Sequence, residues 1–207
     1  EQSPAETIKP PSSEKIRDRV LTLSEIKSIW IACNQIGYPW GPIFQLLLLT
    51  GARLREISEA SWNEVSIADG TLDLPASRTK NGRPHQIHLA DQALKIFQNL
   101  PRTDGQNLLF TTNGQTPVSG FSKVKKRLDG ISGVTNWRFH DLRRSYATHS
   151  TEKLGISQVI TDKILNHVTG QVRGVAATYQ RGEYLQERRN ALQKWADFVE
   201  NVITDGK

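Results

Sequence analysis

Apolar positions in this chain recur with two periods, and the changes of period mark out its elements. Leu23, Ile26, Ile29, Trp30 and Cys33 fall at helical spacing. Thr22-x-x-Glu25 ahead of them has the form of a capping box, in which hydroxyl and carboxylate satisfy each other's orphan N–H groups. A second helix is expected over residues 42–50, apolar nearly all round and therefore the most buried. Gly51 ends it in the manner of a C-cap, and residues 53–60 read as another short helix. The period then falls to two. Residues 65–67, 71–74 and 85–89 are strand-like, with Asp69-Gly70 and Asn81-Gly82 between them as type I′ hairpin signals.

Helical spacing returns over residues 91–100, 119–128, 140–151 and 157–166. A last helix, over about 182–202, would align Leu185, Leu192, Trp195, Val199 and Val202 on one stripe. The expected fold class is mainly α with a small three-stranded antiparallel β-sheet. Residues 1–20, with Pro4, Pro10, Pro11, Ser12 and Ser13, read as a linker or flexible arm.

Composition narrows the function classes. Over 207 residues, 37% hydrophobic and 23% charged content is ordinary for a globular chain and argues against wholesale disorder. The single cysteine, Cys33, excludes an internal disulfide framework and a Cys-cluster zinc site, and its apolar setting reads as core. The longest apolar run, residues 43–49, is interrupted by Gln45 and is far too short to span a membrane. With no signal-peptide pattern at the N-terminus, a reducing cytoplasm is the expected setting. Lys and Arg number 27 against 21 Asp and Glu, a net charge of +6, which favours a polyanionic partner, nucleic acid first. The chain contains no methionine, so it reads as a piece of a longer protein.

Several residues invite chemistry, each with a plainer reading beside it. In Thr50-Gly51-Ala52-Arg53-Leu54-Arg55-Glu56, Arg53 emerges from a sharp turn after a buried helix. It could offer a planar fork to a phosphate, or simply pair with Glu56. In His140-Asp141-Leu142-Arg143, the outer two share a helix face and could meet one ligand, or be a helix-start histidine and a solvated arginine. Lys80 at the Asn81-Gly82 turn is either solvated or poised for a groove. His167 closes a helical stretch, and Tyr179 lies between two helical segments.

The order Thr-Gly-x-Arg-x-x-Glu, hairpin Lys, His-x-x-Arg, His, Tyr resembles the catalytic domain of tyrosine recombinases, the phage integrase family. The flavour is that of prophage and genomic-island integrases, and residues 78–85, 139–145 and 184–189 add to it over about 21–198. The resemblance implies the DNA breaking-rejoining fold and a role for each residue. Arg53 and Arg143 would clamp the phosphate. Lys80 would be the general acid for the leaving 5′ oxygen, His140 the base or proton shuttle, and His167 a further donor. Tyr179 would be the nucleophile, giving a 3′-phosphotyrosyl intermediate and a free 5′-hydroxyl. Glu56 and Asp141 would buttress.

Holding a tyrosine of pKa ~10 as phenolate at neutral pH costs ~4 kcal/mol. Each charge-assisted hydrogen bond returns roughly 1.5–3 kcal/mol, so several groups must act together. The ester keeps the bond energy for religation, so neither metal nor ATP nor any other cofactor is expected.

Implied partners are double-stranded DNA at attachment sites, the chain's own protomers as a tetramer on DNA, and accessory DNA-bending or directionality factors. No membrane is involved, and the place of action would be the bacterial cytoplasm, at the nucleoid. Lys123, Lys125, Lys126 and Arg127 on one helix are expected at the phosphate backbone, with Phe121, Val124 and Leu128 facing inward. The C-terminal stripe would pack on its own domain or on a neighbouring protomer. Residues 1–20 would be linker from an absent N-terminal DNA-binding domain and 21–207 the catalytic domain, a fragment expected to bind DNA weakly and to recombine little.

The gap from His167 to Tyr179 is long for the family, with 168–175 reading as an extra loop, and this makes Tyr184 a rival nucleophile. Tyr146 is expected in the core, and Tyr38 has no partner motif. Two other functions compete: type IB topoisomerase-like DNA relaxation, and a non-catalytic DNA-binding module on the same fold.

Overall fold

Thr22 Oγ1 accepts from Glu25 N at 3.2 Å and Glu25 Oε2 accepts from Thr22 N at 2.8 Å, so the expected capping box opens the first helix. The computed structural model describes residues 17–167 and 184–205. Its helices are α1 (Leu23–Ile36), α2 (Trp40–Thr50), α3 (Leu54–Ser58), α4 (Asp91–Gln98), α5 (Phe121–Ser132), α6 (Phe139–Glu152), α7 (Gln158–Ile164) and α8 (Leu185–Thr204). The strands are β1 (Val65–Ser66), β2 (Thr71–Leu74) and β3 (His85–His88), antiparallel in that order. Among the described residues, no helix is long and apolar enough to cross a membrane.

Helix α2 is the hub. Every residue from Ile43 to Thr50 is buried, because α1, α3, α4, α6 and α8 all pack on it. Cys33 lies in the same core at 2% exposure, and burial pushes its thiol far above the ordinary range. Helix α8 lies against its own chain, burying Leu192, Trp195 and Val199, with Trp195 Nε1 donating to Leu48 O at 2.9 Å. Leu185, expected on the same stripe, is instead 47% exposed.

The hairpin turns differ from expectation. Ser66 pairs with Thr71, so Asp69-Gly70 belongs to a four-residue connection rather than a two-residue turn, and Ile67 lies outside the strand. Leu74 pairs with His85, which leaves residues 75–84 as a long loop with a 3₁₀ turn at Ala76–Arg78. Pro75 cannot donate to the ladder, and Arg78 is drawn away by Glu64 and Glu59. At the other end of the chain, order begins before Thr22. Arg17 to Val20, placed by sequence in the arm, lead into Leu21, which is fully buried and bonds through its N–H to Ser145 Oγ at 2.8 Å. Leu21 O accepts from His149 Nε2 at 2.8 Å.

Gly51 closes α2 in the left-handed region, φ 64° and ψ 12°. A Cβ there would lie 2.8 Å from Tyr146 Cδ1 and 3.0 Å from Leu165 Cδ2. Gly51→Ala should therefore cost roughly 2–4 kcal/mol, the sum of a left-handed penalty and overpacking. In thermal unfolding that is a fall in Tm of about 5–15 °C for a chain of this size; an unchanged Tm would contradict the packing described.

Candidate active site

The centre of the site is a buried arginine. Asp141, fully buried, accepts from Arg138 N at 2.8 Å and so caps α6. Arg17 and Arg144 bond the same carboxylate at 3.1 and 2.9 Å. The capped helix carries His140 in its first turn and Arg143 one turn further on. Arg143 is 4% exposed, and its Nη1 donates to Gly51 O at 2.6 Å while Nη2 donates to Leu165 O. Burial, with the like charge of Arg53, lowers its pKa to about 10, which leaves it cationic at neutral pH.

Arg53 stands just ahead of α3. Glu56, 3% exposed, binds it twice: Oε2 accepts from Arg53 N at 2.8 Å and Oε1 from Arg53 Nη1 at 2.7 Å. The pairing that served as the plain reading is thus present. It does not remove Arg53 from the site, because the side chain keeps 24% of its surface exposed and its charge acts on Arg143, His140 and His167. A carboxylate behind an arginine fixes the fork and leaves its remaining donors for an anion.

His140 and His167 both remain exposed at the surface of this site. Burial first, and the Arg143 charge second, hold the imidazole of His140 below the ordinary histidine value, with Arg144 adding to the effect and Asp141 opposing it. The His167 ring is lowered by burial and then by Arg143, against the pull of Asp162, whose Oδ1 lies 3.2 Å from Nδ1. Arg143 follows His140 by one turn of α6 and bonds the carbonyls of Gly51, two residues before Arg53, and of Leu165, two residues before His167, so the four residues are brought to one place.

Lys80 is exposed on the 75–84 loop, on the side of the sheet that meets the end of α7. Tyr179 lies outside the described residues, as does the 168–175 stretch. Of the other tyrosines, Tyr146 is fully buried as expected. Tyr38 donates to Leu109 O and Thr111 O, at 3.1 and 3.2 Å. Tyr184, the rival, occupies the N-cap of α8 in the left-handed region, φ 48° and ψ 41°.

On α5, Lys123, Lys126 and Arg127 are exposed, while Val124 and Leu128 face the core. Lys125 is turned away from the other three. Its Nζ bonds Asp129 at 2.5 and 2.7 Å and lies 4.1 Å from the Trp137 ring centroid, so its charge is already engaged.

Two residues of the 78–85 stretch that supports the resemblance were given no role from sequence. Arg78 donates to Glu64 Oε1 at 3.0 Å, Glu59 Oε2 at 3.1 Å and Glu56 O at 3.2 Å, tying the lysine loop to α3 behind Arg53. Nothing in a polar loop distinguishes such an arginine from its solvated neighbours. His85, buried on β3, donates from Nε2 to Ile164 O at 3.1 Å and is held neutral, its pKa lowered to about 4 chiefly by burial.

A family model described as the phage integrase family matches residues 19–179. The chain belongs to this family. It is 27% identical over 185 residues to prophage integrase IntZ of Escherichia coli K12, covering 88% of this chain and 45% of that one. With prophage integrase IntA of the same organism, identity is 31% over 166 residues, covering 76% and 38% respectively. The chain thus spans less than half the length of either relative. In fold, the integrase domain superposes on a lambda integrase dimer bound to a COC′ core site with a TM-score of 0.60, at 22% identity, covering 76% of this chain and 60% of that one. The mainly helical architecture with its three-stranded antiparallel sheet is that of the tyrosine recombinase catalytic domain.

Proposed function

We propose that the chain is the catalytic domain of a site-specific DNA recombinase that cuts and rejoins DNA through a 3′-phosphotyrosyl intermediate. The observation that carries this reading is Arg143, which stands one turn after His140 on α6 and bonds Gly51 O, two residues before Arg53, and Leu165 O, two residues before His167. Two guanidiniums held from behind, one by Glu56 and one by two backbone carbonyls, suit the charge of a pentacoordinate phosphoryl transition state. In this reading Tyr179 Oη attacks the phosphorus, and the P–O5′ bond breaks as Lys80 gives its proton to O5′. His140 takes or shuttles the tyrosine proton, and His167 donates to a phosphate oxygen. The family match runs to residue 179, which supports the choice of nucleophile.

The DNA partner is proposed to be double-stranded attachment sites at the ends of a mobile element, engaged by the chain's own protomers as a tetramer. Lys123, Lys126 and Arg127 would contact the backbone; Lys125, already engaged, would contribute little. The catalytic domain is proposed to include Arg17, whose side chain bonds Asp141 on α6.

The test uses nicked duplexes tiled across the ends of the DNA element that carries this gene. A denaturation-resistant protein–DNA adduct with a free 5′-hydroxyl is expected, with slight strand exchange from a chain that spans less than half the length of its relatives. Relaxation of supercoils irrespective of sequence would favour the topoisomerase reading, and DNA binding with no adduct on any duplex would favour the binding module.

The pH dependence follows from the histidines. His140 has its pKa lowered from the ordinary ~6.5, so it is neutral at pH 7 and protonates only as pH falls further. His167, whose Nδ1 faces the Asp162 carboxylate, donates to the phosphate from Nε2 once the phosphate's charge has drawn a second proton onto its ring. Single-turnover cleavage should be flat near pH 7 and fall along an acidic limb centred below about 6.5. An acidic limb centred above pH 7 would remove His140 as the neutral base.

A further inference from the structure

The lysine loop and the histidine turn are joined by a pair of asparagines. Asn81 follows Lys80 in the chain, and Asn166 precedes His167. Asn81 Nδ2 donates to Asn166 Oδ1 at 2.8 Å and to Asn166 O at 3.2 Å. Asn166 sits in the left-handed region at φ 48°, a conformation asparagine tolerates and one that turns the chain after α7. Both side chains are partly buried, so water competes only partly for these bonds.

The pair belongs to a larger pattern. Three successive carbonyls at the end of α7 accept from three different elements: Ile164 O from His85 on β3, Leu165 O from Arg143 on α6, and Asn166 O from Asn81 on the 75–84 loop. Helix C-termini leave carbonyls without intrahelical partners, and here they serve as a template. The two inner bonds are buried and fasten the sheet and Arg143. The outer one fastens the far side of the loop that carries Lys80, whose near side is already tied to α3 by Arg78 and closed by Thr79 Oγ1, which bonds Arg83 O at 2.7 Å.

We propose that the Asn81–Asn166 pair is a positioning clamp that seats Lys80 over the scissile phosphate and couples it to His167. The proposal rests on the reading of Lys80 as general acid. Arg78 and Thr79 hold the loop just before Lys80 and the asparagine pair holds it just after, so the lysine is fixed from both sides before DNA arrives, as proton transfer within hydrogen-bond reach of O5′ requires.

Asn81→Asp is the informative variant. A carboxylate still accepts from Arg83 N, now 3.2 Å from Asn81 Oδ1, so the local turn is kept. It cannot donate to Asn166, so the bonds to Asn166 Oδ1 and Asn166 O are lost. The 3.4 Å bond from Asn166 Nδ2 to Oδ1 is retained, and Asn81→Ala, run beside it with the same expected outcome, removes that as well. Its effect is read on two versions of the nicked duplex on which the chain forms its adduct, one with the natural bridging O5′ and one with sulfur there. An alkoxide as basic as hydroxide (water pKa ~15.7) must be protonated as it leaves. A thiolate of pKa ~8.5 leaves without a proton, so the sulfur substrate is insensitive to the general acid.

Lys80→Ala should lose roughly 10²–10⁴-fold on the oxygen substrate and regain nearly the parent rate on sulfur. Asn81→Asp should lose roughly 10–100-fold on oxygen, the scale of a misplaced group, and likewise recover on sulfur. If Lys80→Ala is not recovered by sulfur, the general-acid reading fails and the clamp with it. If Lys80→Ala is recovered but Asn81→Asp matches the parent on oxygen, or is slowed equally on both substrates, the clamp alone is overturned.

Discussion

A Tyr179→Phe protein should form no covalent complex with nicked DNA while binding that DNA as the parent does. The substitution removes one oxygen, the atom that would attack the phosphorus, and leaves the ring. The chain has four tyrosines, and the three within the described residues occupy other positions. Tyr38 spends its hydroxyl on two loop carbonyls. Tyr146 is fully buried against Trp195, their ring centroids 5.5 Å apart and nearly perpendicular, and burial pushes its phenol well above the ordinary range. Tyr184 begins α8, and its carbonyl accepts from Arg188 N at 2.8 Å. Tyr184→Phe should accordingly leave adduct formation within a small factor of the parent. Denaturing electrophoresis after incubation with the nicked duplexes reads both outcomes. An adduct from the Tyr179→Phe protein would remove Tyr179 as nucleophile, and its loss only in Tyr184→Phe would pass the role to Tyr184.

The second large effect is expected at Arg143. Arg143→Ala should slow adduct formation by roughly 10²–10³-fold, the usual result of deleting one donor to a developing oxyanion. It should also destabilise the fold, because Gly51 O and Leu165 O would both lose the guanidinium that bonds them. Hydrogen bonds to a charged group are worth roughly 1.5–3 kcal/mol each. Relief of burying a cation offsets part of that, so a net loss of about 1–3 kcal/mol is expected in urea unfolding. Arg143→Lys separates the two roles. An ammonium keeps the charge but lacks the planar fork, so it cannot bond two carbonyls and a phosphate in the same arrangement. Its rate should stay nearer to Arg143→Ala than to the parent. An Arg143→Lys protein within about tenfold of the parent would mean that charge alone suffices and that the template at the end of α7 does not orient the arginine.

Much of this architecture was legible before any coordinates. The capping box at Thr22 and Glu25, the buried run 43–49, and the helical spacing of Leu192, Trp195 and Val199 are local signals, and each corresponds to an observed element. The hairpins were misjudged because Asp69-Gly70 and Asn81-Gly82 have the letters of tight turns, whereas pairing beyond Leu74 is stopped by Pro75 and by the ion pairs of Arg78. Lys125 has one partner within reach of sequence, Asp129 at i+4 on the same helix, and one that is not, the Trp137 ring, which meets it only once α5 packs beside the start of α6.

The candidate site divides along the same line. Sequence alone determined the donors, namely which arginines, histidines, lysine and tyrosine occur and in what order, though it set Lys80 at a tight hairpin rather than on the 75–84 loop. Family membership follows from that order. Tertiary structure alone decided the acceptors that hold those donors in place, namely Gly51 O for Arg143 and the carbonyls of Ile164, Leu165 and Asn166 for three separate elements. The reason is physical. Donor side chains are spelled out in the sequence, whereas every residue carries a carbonyl. Which carbonyls are left open at a helix end, and which donor faces them, is set only when α6, α7 and the sheet come together.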